Sequence, residues 1–202
     1  MRENGPDYSS YRQQRIRERQ MVEAFAAWID YLIIEKFWQG WMISFMFEEL
    51  HLSEAATKAA MQQEVVGFAK KLSTRFHRKP TSAAAYKVIP RLIGCPDYPV
   101  FKHEKEGHRL SAPNAGLHYN VFLIHPIMAY SRACRLKVPL DQHIEENKLT
   151  YCNSRSHIDR IHPEPIFRTP RRAADYILKA LGNGRIRMDD ILLMPQAISE
   201  RS

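Results

Sequence analysis

The chain has 202 residues, of which 45% are hydrophobic and 10% aromatic, enough for a packed core in one domain with an extension. Its formal net charge of +8 suits a polyanionic partner, of which nucleic acid is the commonest. Three scattered cysteines, Cys95, Cys134 and Cys152, form no metal-type spacing and speak against a disulfide framework, as in a reducing compartment. The first residues hold no apolar signal core. The most apolar stretch, 22–41, is interrupted by Asp30, Glu35 and Lys36, too broken to span a bilayer. A soluble, cytoplasmic protein without membrane contact is expected.

Residues 8–38 read as a long helix with Arg12, Arg15, Arg17 and Arg19 crowding its start. Phe25, Trp28, Ile29, Leu32 and Ile33 recur at helical spacing on a face to be buried. We take 1–38 as a basic and aromatic helical extension and 39–202 as the main domain. The apolar run from Trp41 to Phe47 is β-branched and aromatic, which predicts a buried strand. Ser53 is placed to cap a helix over about 54–77 with a buried stripe of Ala59, Val66, Ala69 and Leu72. That helix ends in Lys70, Lys71, Arg75, Arg78 and Lys79. So dense a cation group exceeds what a helix C-terminus needs and suits phosphate contacts.

Prolines punctuate 80–99, and 100–105 and 117–126 read as two strands joined by a turn-rich segment, able to pair as a hairpin. A short helix is expected near 139–149, an extended segment over 156–166, a helix over 170–181 and a short strand over 190–195. Mixed elements around an antiparallel hairpin indicate an α+β fold, a central antiparallel sheet with flanking helices plus the N-terminal helix. The sequence carries no Gly-rich phosphate loop, so nucleotide hydrolysis of the P-loop kind is not expected.

Two segments carry the chemistry. Alternation along the 117–126 strand puts His118 and Asn120 on one face with Phe122 and Ile124, and Tyr119 on the other. Of His103 and Glu104, which point to opposite sides of the neighbouring strand, one can join His118. Imidazole, carboxylate and amide oxygen together suit a magnesium- or manganese-type cation. A strand histidine is also commonly no more than a hydrogen-bonded residue. In the 170–181 helix, Thr169 is placed as cap, Pro170 at the first position and Gly182 as a left-handed stop. Tyr176 and Lys179 share a face of it, with Arg172 four residues behind Tyr176 and Arg171 next to it in sequence. A phenol beside a cation suits a tyrosine nucleophile, and the arginines suit a phosphodiester. The same pattern also fits a tyrosine packed on the core beside a solvated lysine.

The order of these segments, Ile43-Ser44-Phe45-Met46-Phe47, then His118-Tyr119-Asn120, then Tyr176-Ile177-Leu178-Lys179, resembles the three motifs of the HUH-endonuclease family. These are the rolling-circle replication initiators of phages and plasmids. The resemblance covers about residues 38–195 and implies a ferredoxin- or RRM-like sheet with flanking helices. It implies Tyr176 as the nucleophile that nicks single-stranded or origin DNA, Lys179 as its assistant, and Mg2+ or Mn2+ held by His118, Asn120 and Glu104. Lys70, Lys71, Arg75, Arg78, Lys79, Arg171 and Arg172 are expected to form the cationic face that meets DNA, and any unwinding would come from a partner such as a host helicase, since this sequence shows no motor. Asn120 stands where the family has its second histidine, a place that glutamine takes in some active relatives. Met46 stands where a threonine or serine is usual. The other readings are a DNA-binding protein that keeps such a fold without cleavage and, further away, a structural or partner-binding protein whose basic N-terminal helix docks elsewhere.

Overall fold

The structure is a computed structural model that describes residues 8–97, 117–127, 134, 136–166, 169–183 and 186–195. The chain opens with helix α1 (Tyr8–Asp30), which passes through a π-helical turn (Tyr31–Glu35) into strand β1 (Trp38–Phe47). Phe37 adopts a positive φ of 54° between turn and strand, so the helix expected to reach residue 38 ends earlier. Helix α2 (Glu54–Phe76) follows, then strands β2 (Arg91–Asp97) and β3 (His118–Pro126). Short helices α3 (Leu140–Glu146) and α4 (Lys148–Tyr151) precede strand β4 (Ile158–Ile166). Helices α5 (Pro170–Ile177) and α6 (Lys179–Gly182) lead to strand β5 (Leu192–Met194). The five strands form one sheet in the order β4-β1-β3-β2-β5, with antiparallel pairing at every junction. The protein is therefore α+β, an antiparallel sheet flanked by helices.

Strand alternation divides the core into two layers. On one side Trp41, Ile43, Phe45 and Phe47 of β1, with Tyr119, Val121 and Leu123 of β3, pack under α2 through Met61, Val65, Phe68, Leu72 and Phe76. On the other side Phe122 and Ile124 meet Ala26, Ile29 and Leu32 at the end of the first helical segment, and Ala174, Ile177 and Leu181 of α5 and α6. The N-terminal helix is thus part of the second layer. Arg15 holds it there by donating to the Leu181 and Gly182 carbonyls at 3.3 and 2.6 Å, where a cation complements the helix end.

Ser53 caps α2 as expected, its hydroxyl accepting from the Ala56 N–H at 3.3 Å. The buried stripe differs from the expected one: Ala59 is exposed and Val66 half-buried, while Thr57, Met61, Val65, Phe68 and Phe76 are buried with Ala69 and Leu72. The expected pattern was out of phase because the large side chains, rather than the alanines, decide which face is covered. Thr169 makes no side-chain cap bond. Gly182 remains the last residue of α6 with its N–H on the Leu178 carbonyl, so it is no left-handed stop.

Strand β2 lies inside the stretch that its prolines and glycine mark as irregular. Strand β5 covers only Leu92–Gly94, so Pro96 falls where β2 is already an edge, a place that tolerates proline. Pro163 and Pro165 sit likewise on β4, at the opposite edge of the sheet. Gly94 is needed for a different reason. A Cβ there would lie 2.7 Å from Val121 Cγ2 and 2.8 Å from the Asn120 carbonyl oxygen, and a backbone atom cannot give way cheaply. We predict that Gly94→Ala costs about 2 kcal/mol, read as a fall in Tm of about 5 °C. Gly40→Ala meets only the tip of Ile33 at the shortest distance and should cost less.

His125 carries a pH dependence of stability. Burial, against a weaker opposing effect of its bond with the Pro126 carbonyl at 3.0 Å, holds its pKa below the ordinary 6.5. Among the described residues its Nε2 has no hydrogen-bond partner, and its ring packs on Phe76 with centroids 5.0 Å apart. A proton would therefore be bound more readily in the unfolded chain. The stability this histidine allows is present above pH 6.5 and is lost as pH falls through its depressed value. Thermal unfolding between pH 7.5 and 5 should show Tm dropping in the native protein and dropping less in His125→Leu.

Candidate functional site

Directly paired residues of antiparallel strands share a face, so the sheet register sets out the floor of the α5 side in rows. Arg160, Met46, His118 and Asp97 form one row across β4, β1, β3 and β2. His162, Ser44, Asn120 and Cys95 form the next, and Glu164, Met42, Phe122 and Ile93 the third. Apolar packing under α5 and α1 dominates the third row, and polar groups dominate the other two. The floor thus turns polar toward the C-terminal end of β2.

Asp97 is the centre of this polar end. It is 3% exposed, and one carboxylate oxygen, Oδ2, meets three groups. Lys179 Nζ lies 2.9 Å from it, Asn120 Nδ2 donates to it at 3.3 Å, and His118 Nε2 stands 3.7 Å away. Ser44 Oγ donates to the Asn120 amide oxygen at 2.8 Å, which fixes the amide from the far side. Lys179 Nζ also sits 4.4 Å from the centroid of the Tyr176 ring. Partial burial disfavours the Lys179 ammonium, but the hydrogen bond and charge of Asp97, with a smaller pull from Tyr176, outweigh it and raise its pKa. A network in which each charge has a partner is rigid.

Tyr176, Lys179, His118 and Asn120 are therefore brought together, on one side of the sheet. Tyr176 is 48% exposed, not packed in the core, and borders an open cleft of about 420 Å³ lined also by Met42, Glu164, Ile166, Thr169 and Arg172. Arg171 and Arg172 are exposed on the same helix. Cys95 supports the helix from below, its thiol 3.2 Å from the Ile177 carbonyl. Burial first, then the charge of Asp97, pushes that thiol up to about 12, so it serves packing and not reactivity.

The α2 cations stand apart from this cluster. Helix α2 covers the opposite face of the sheet. Lys71 donates to the Thr150 carbonyl at 2.9 Å, and Arg75 acts on the His143–Tyr151 pair beneath α3 and α4. Lys70, Arg78 and Lys79 are exposed. Glu104, His103 and the 100–105 strand expected to pair with β3 lie outside the described residues. From His118 to Ile124 β3 is flanked by β1 and β2, and the carboxylate beside His118 is Asp97.

Sequence reasoning missed Asp97, Ser44, Arg160 and His162. The signal for Asp97 was alternation in Leu92-Ile93-Gly94-Cys95-Pro96-Asp97, hidden by the glycine and the proline. Among the described residues no group of three His, Cys, Asp or Glu side chains converges as a metal site. The donor chemistry at Asp97 nonetheless fits one hard cation: a carboxylate, an imidazole and an amide, with water completing the shell as magnesium usually requires. Ser44 is compatible with either end of the Asn120 amide, because a hydroxyl both donates and accepts.

No helix among the described residues is long and apolar enough to cross a membrane. No protein-family model, curated protein or solved structure matches the chain.

Proposed function

We propose that the protein nicks single-stranded DNA with Tyr176 as nucleophile. The observation that carries this reading is that Lys179 and His118 meet one Asp97 oxygen while Lys179 also lies against the ring of Tyr176, which borders an open cleft. The Tyr176 oxygen attacks the phosphorus, the bond to the 3′-oxygen breaks, and the phenol's proton ends on that oxygen. A 5′-phosphotyrosine and a free 3′-hydroxyl result, with no net proton change. Lys179 faces the ring of the nucleophile and steadies charge developing on the phosphoryl oxygens. Asp97 holds Lys179 in place, Asn120 and Ser44 hold Asp97, and Arg172 guides the strand into the cleft. Asp97 and His118, with Asn120, would hold Mg2+ or Mn2+, which when bound supplies Lewis-acid polarisation of the phosphate. A net charge of +8 supports an anionic strand as partner.

A second reading, a DNA-binding protein that does not cleave, is favoured by Lys179 occupying the Asp97 oxygen that a metal would use. The two are separated by incubating the protein with end-labelled single-stranded DNA and Mn2+ or Mg2+ and running a denaturing gel. A covalent protein–DNA adduct supports cleavage. Retarded DNA without adduct under either metal overturns it in favour of binding alone.

A further inference from the structure

A second cavity, about 340 Å³, opens on the same helical side of the sheet at its other edge. Met21, Phe25 and Trp28 of α1, Tyr86, Arg91 of β2, and Leu193 and Met194 of β5 are among its walls. Among the described residues Arg91 is the single charged group in that lining. Its guanidinium carbon lies 4.9 Å from the Trp38 ring centroid, 5.6 Å from Trp28 and 5.7 Å from Tyr86. Among the described residues it has no carboxylate partner, and its buried Nε has no hydrogen-bond partner.

Arg91 is half-buried, and a guanidinium against three aromatic rings with no carboxylate partner among the described residues is left to meet an anion from outside. Aromatic walls suit a planar ring system, and an unpaired cation suits an anion. Tyr86 and Leu193, at 38% and 46% exposed, leave the mouth open. A nucleotide combines both requirements, because the base stacks on rings while its phosphate meets the arginine.

We infer that this cavity is an anchor for one nucleotide of a single-stranded DNA, the base stacking on Tyr86 and Trp28 and its phosphate paired with Arg91. The inference rests on the reading of single-stranded DNA as the partner, and needs no cleavage. Charge complementarity carries the choice of occupant: the chain is basic, and among the described residues the one charge lining the cavity is a cation without a carboxylate partner. Base–aromatic contacts tolerate any sequence, so the anchor adds affinity without specificity.

The test is fluorescence anisotropy of a labelled oligothymidylate with the whole protein and its Tyr86→Ala, Tyr86→Phe and Arg91→Met variants. Circular dichroism melts confirm that each variant is folded. Tyr86→Ala should bind about ten-fold more weakly, and Tyr86→Phe should bind as the native protein does. Arg91→Met should weaken binding and lower the slope of log affinity against log salt by about one. A strand made abasic throughout should bind the native protein and Tyr86→Ala equally.

Native binding that both Tyr86→Ala and Arg91→Met leave unchanged overturns the anchor while keeping DNA as the partner. Absence of native binding to any single strand overturns both. Capture of a labelled fatty-acid anion that competes with DNA for the cavity and is lost in Arg91→Met would reassign the cavity and overturn the proposal.

Discussion

Tyr176→Phe is expected to abolish the covalent protein–DNA adduct, lowering its rate of formation by at least about 10³-fold, while affinity for the same strand stays within about two-fold. The substitution removes one oxygen from a side chain that is half exposed and stands at the mouth of a cleft, so the fold has little reason to change. Phenylalanine keeps the ring against which Lys179 lies. The chain supplies its own control. Tyr31 is equally exposed and also has a lysine near its ring, Lys36 at 5.2 Å. A phenol beside an ammonium is therefore not a rare arrangement in this protein. At Tyr176 the ammonium is tied to a buried carboxylate and through it to an imidazole and an amide. Tyr31→Phe should leave the adduct as it is in the native protein. If Tyr31→Phe removes the adduct and Tyr176→Phe does not, the assignment of the nucleophile is wrong.

The difference between these two tyrosines also shows how much of the site could be read from the chain. Tyr176, Lys179, His118 and Asn120 were identified because spacing on a helix and alternation on a strand are local properties. The α+β class followed from the order of such segments. What joins them is Asp97, 21 residues from His118 in sequence but paired with it across two strands. Register of that kind is set by packing of both sheet faces, and no local pattern announces it. The proline that disguised β2, Pro96, is tolerated because β5 is only three residues long, again a tertiary fact. The place of the N-terminal helix is of the same sort. Its apolar stripe announced a buried face, but only the assembled structure sets Ala26 and Ile29 against Phe122 and Ile177.

The rows of the sheet floor separate two demands that one face must meet. Phe122, Ile93 and Met42 serve the core beneath α1 and α5, whereas Arg160, His162 and Glu164 on β4 are exposed. Charged side chains and two prolines on this strand also protect an open sheet edge from pairing with another chain. Among the described residues no further strand pairs with the outer side of β4, an openness that the proposed strand of DNA would require. Arg160 already leans inward, its guanidinium nitrogens 2.9 and 3.3 Å from Met46 Sδ, next to His118 in the register.

Lys179→Met should lower stability as well as adduct formation, and the two effects should part company in a double variant. In the single variant Asp97, 4% exposed at its side chain, loses its closest cation and keeps the Asn120 amide. Breaking a fully buried pair costs about 3–5 kcal/mol, but Lys179 is 36% exposed, so water compensates part of the loss. About 2 kcal/mol is expected after that discount, or a fall of about 4–8 °C in Tm. Asp97→Asn leaves no buried charge and should cost less. In Lys179→Met with Asp97→Asn the orphaned carboxylate is gone, and most of the lost stability should return, a coupling that a double-mutant cycle measures directly. Adduct formation should not return with it, because no ammonium then faces the Tyr176 ring and no carboxylate stands beside His118. Recovery of both together would mean that the pair acts only in folding. Recovery of neither would mean that Lys179 contributes through its methylene stem and not through the charge it brings to Asp97.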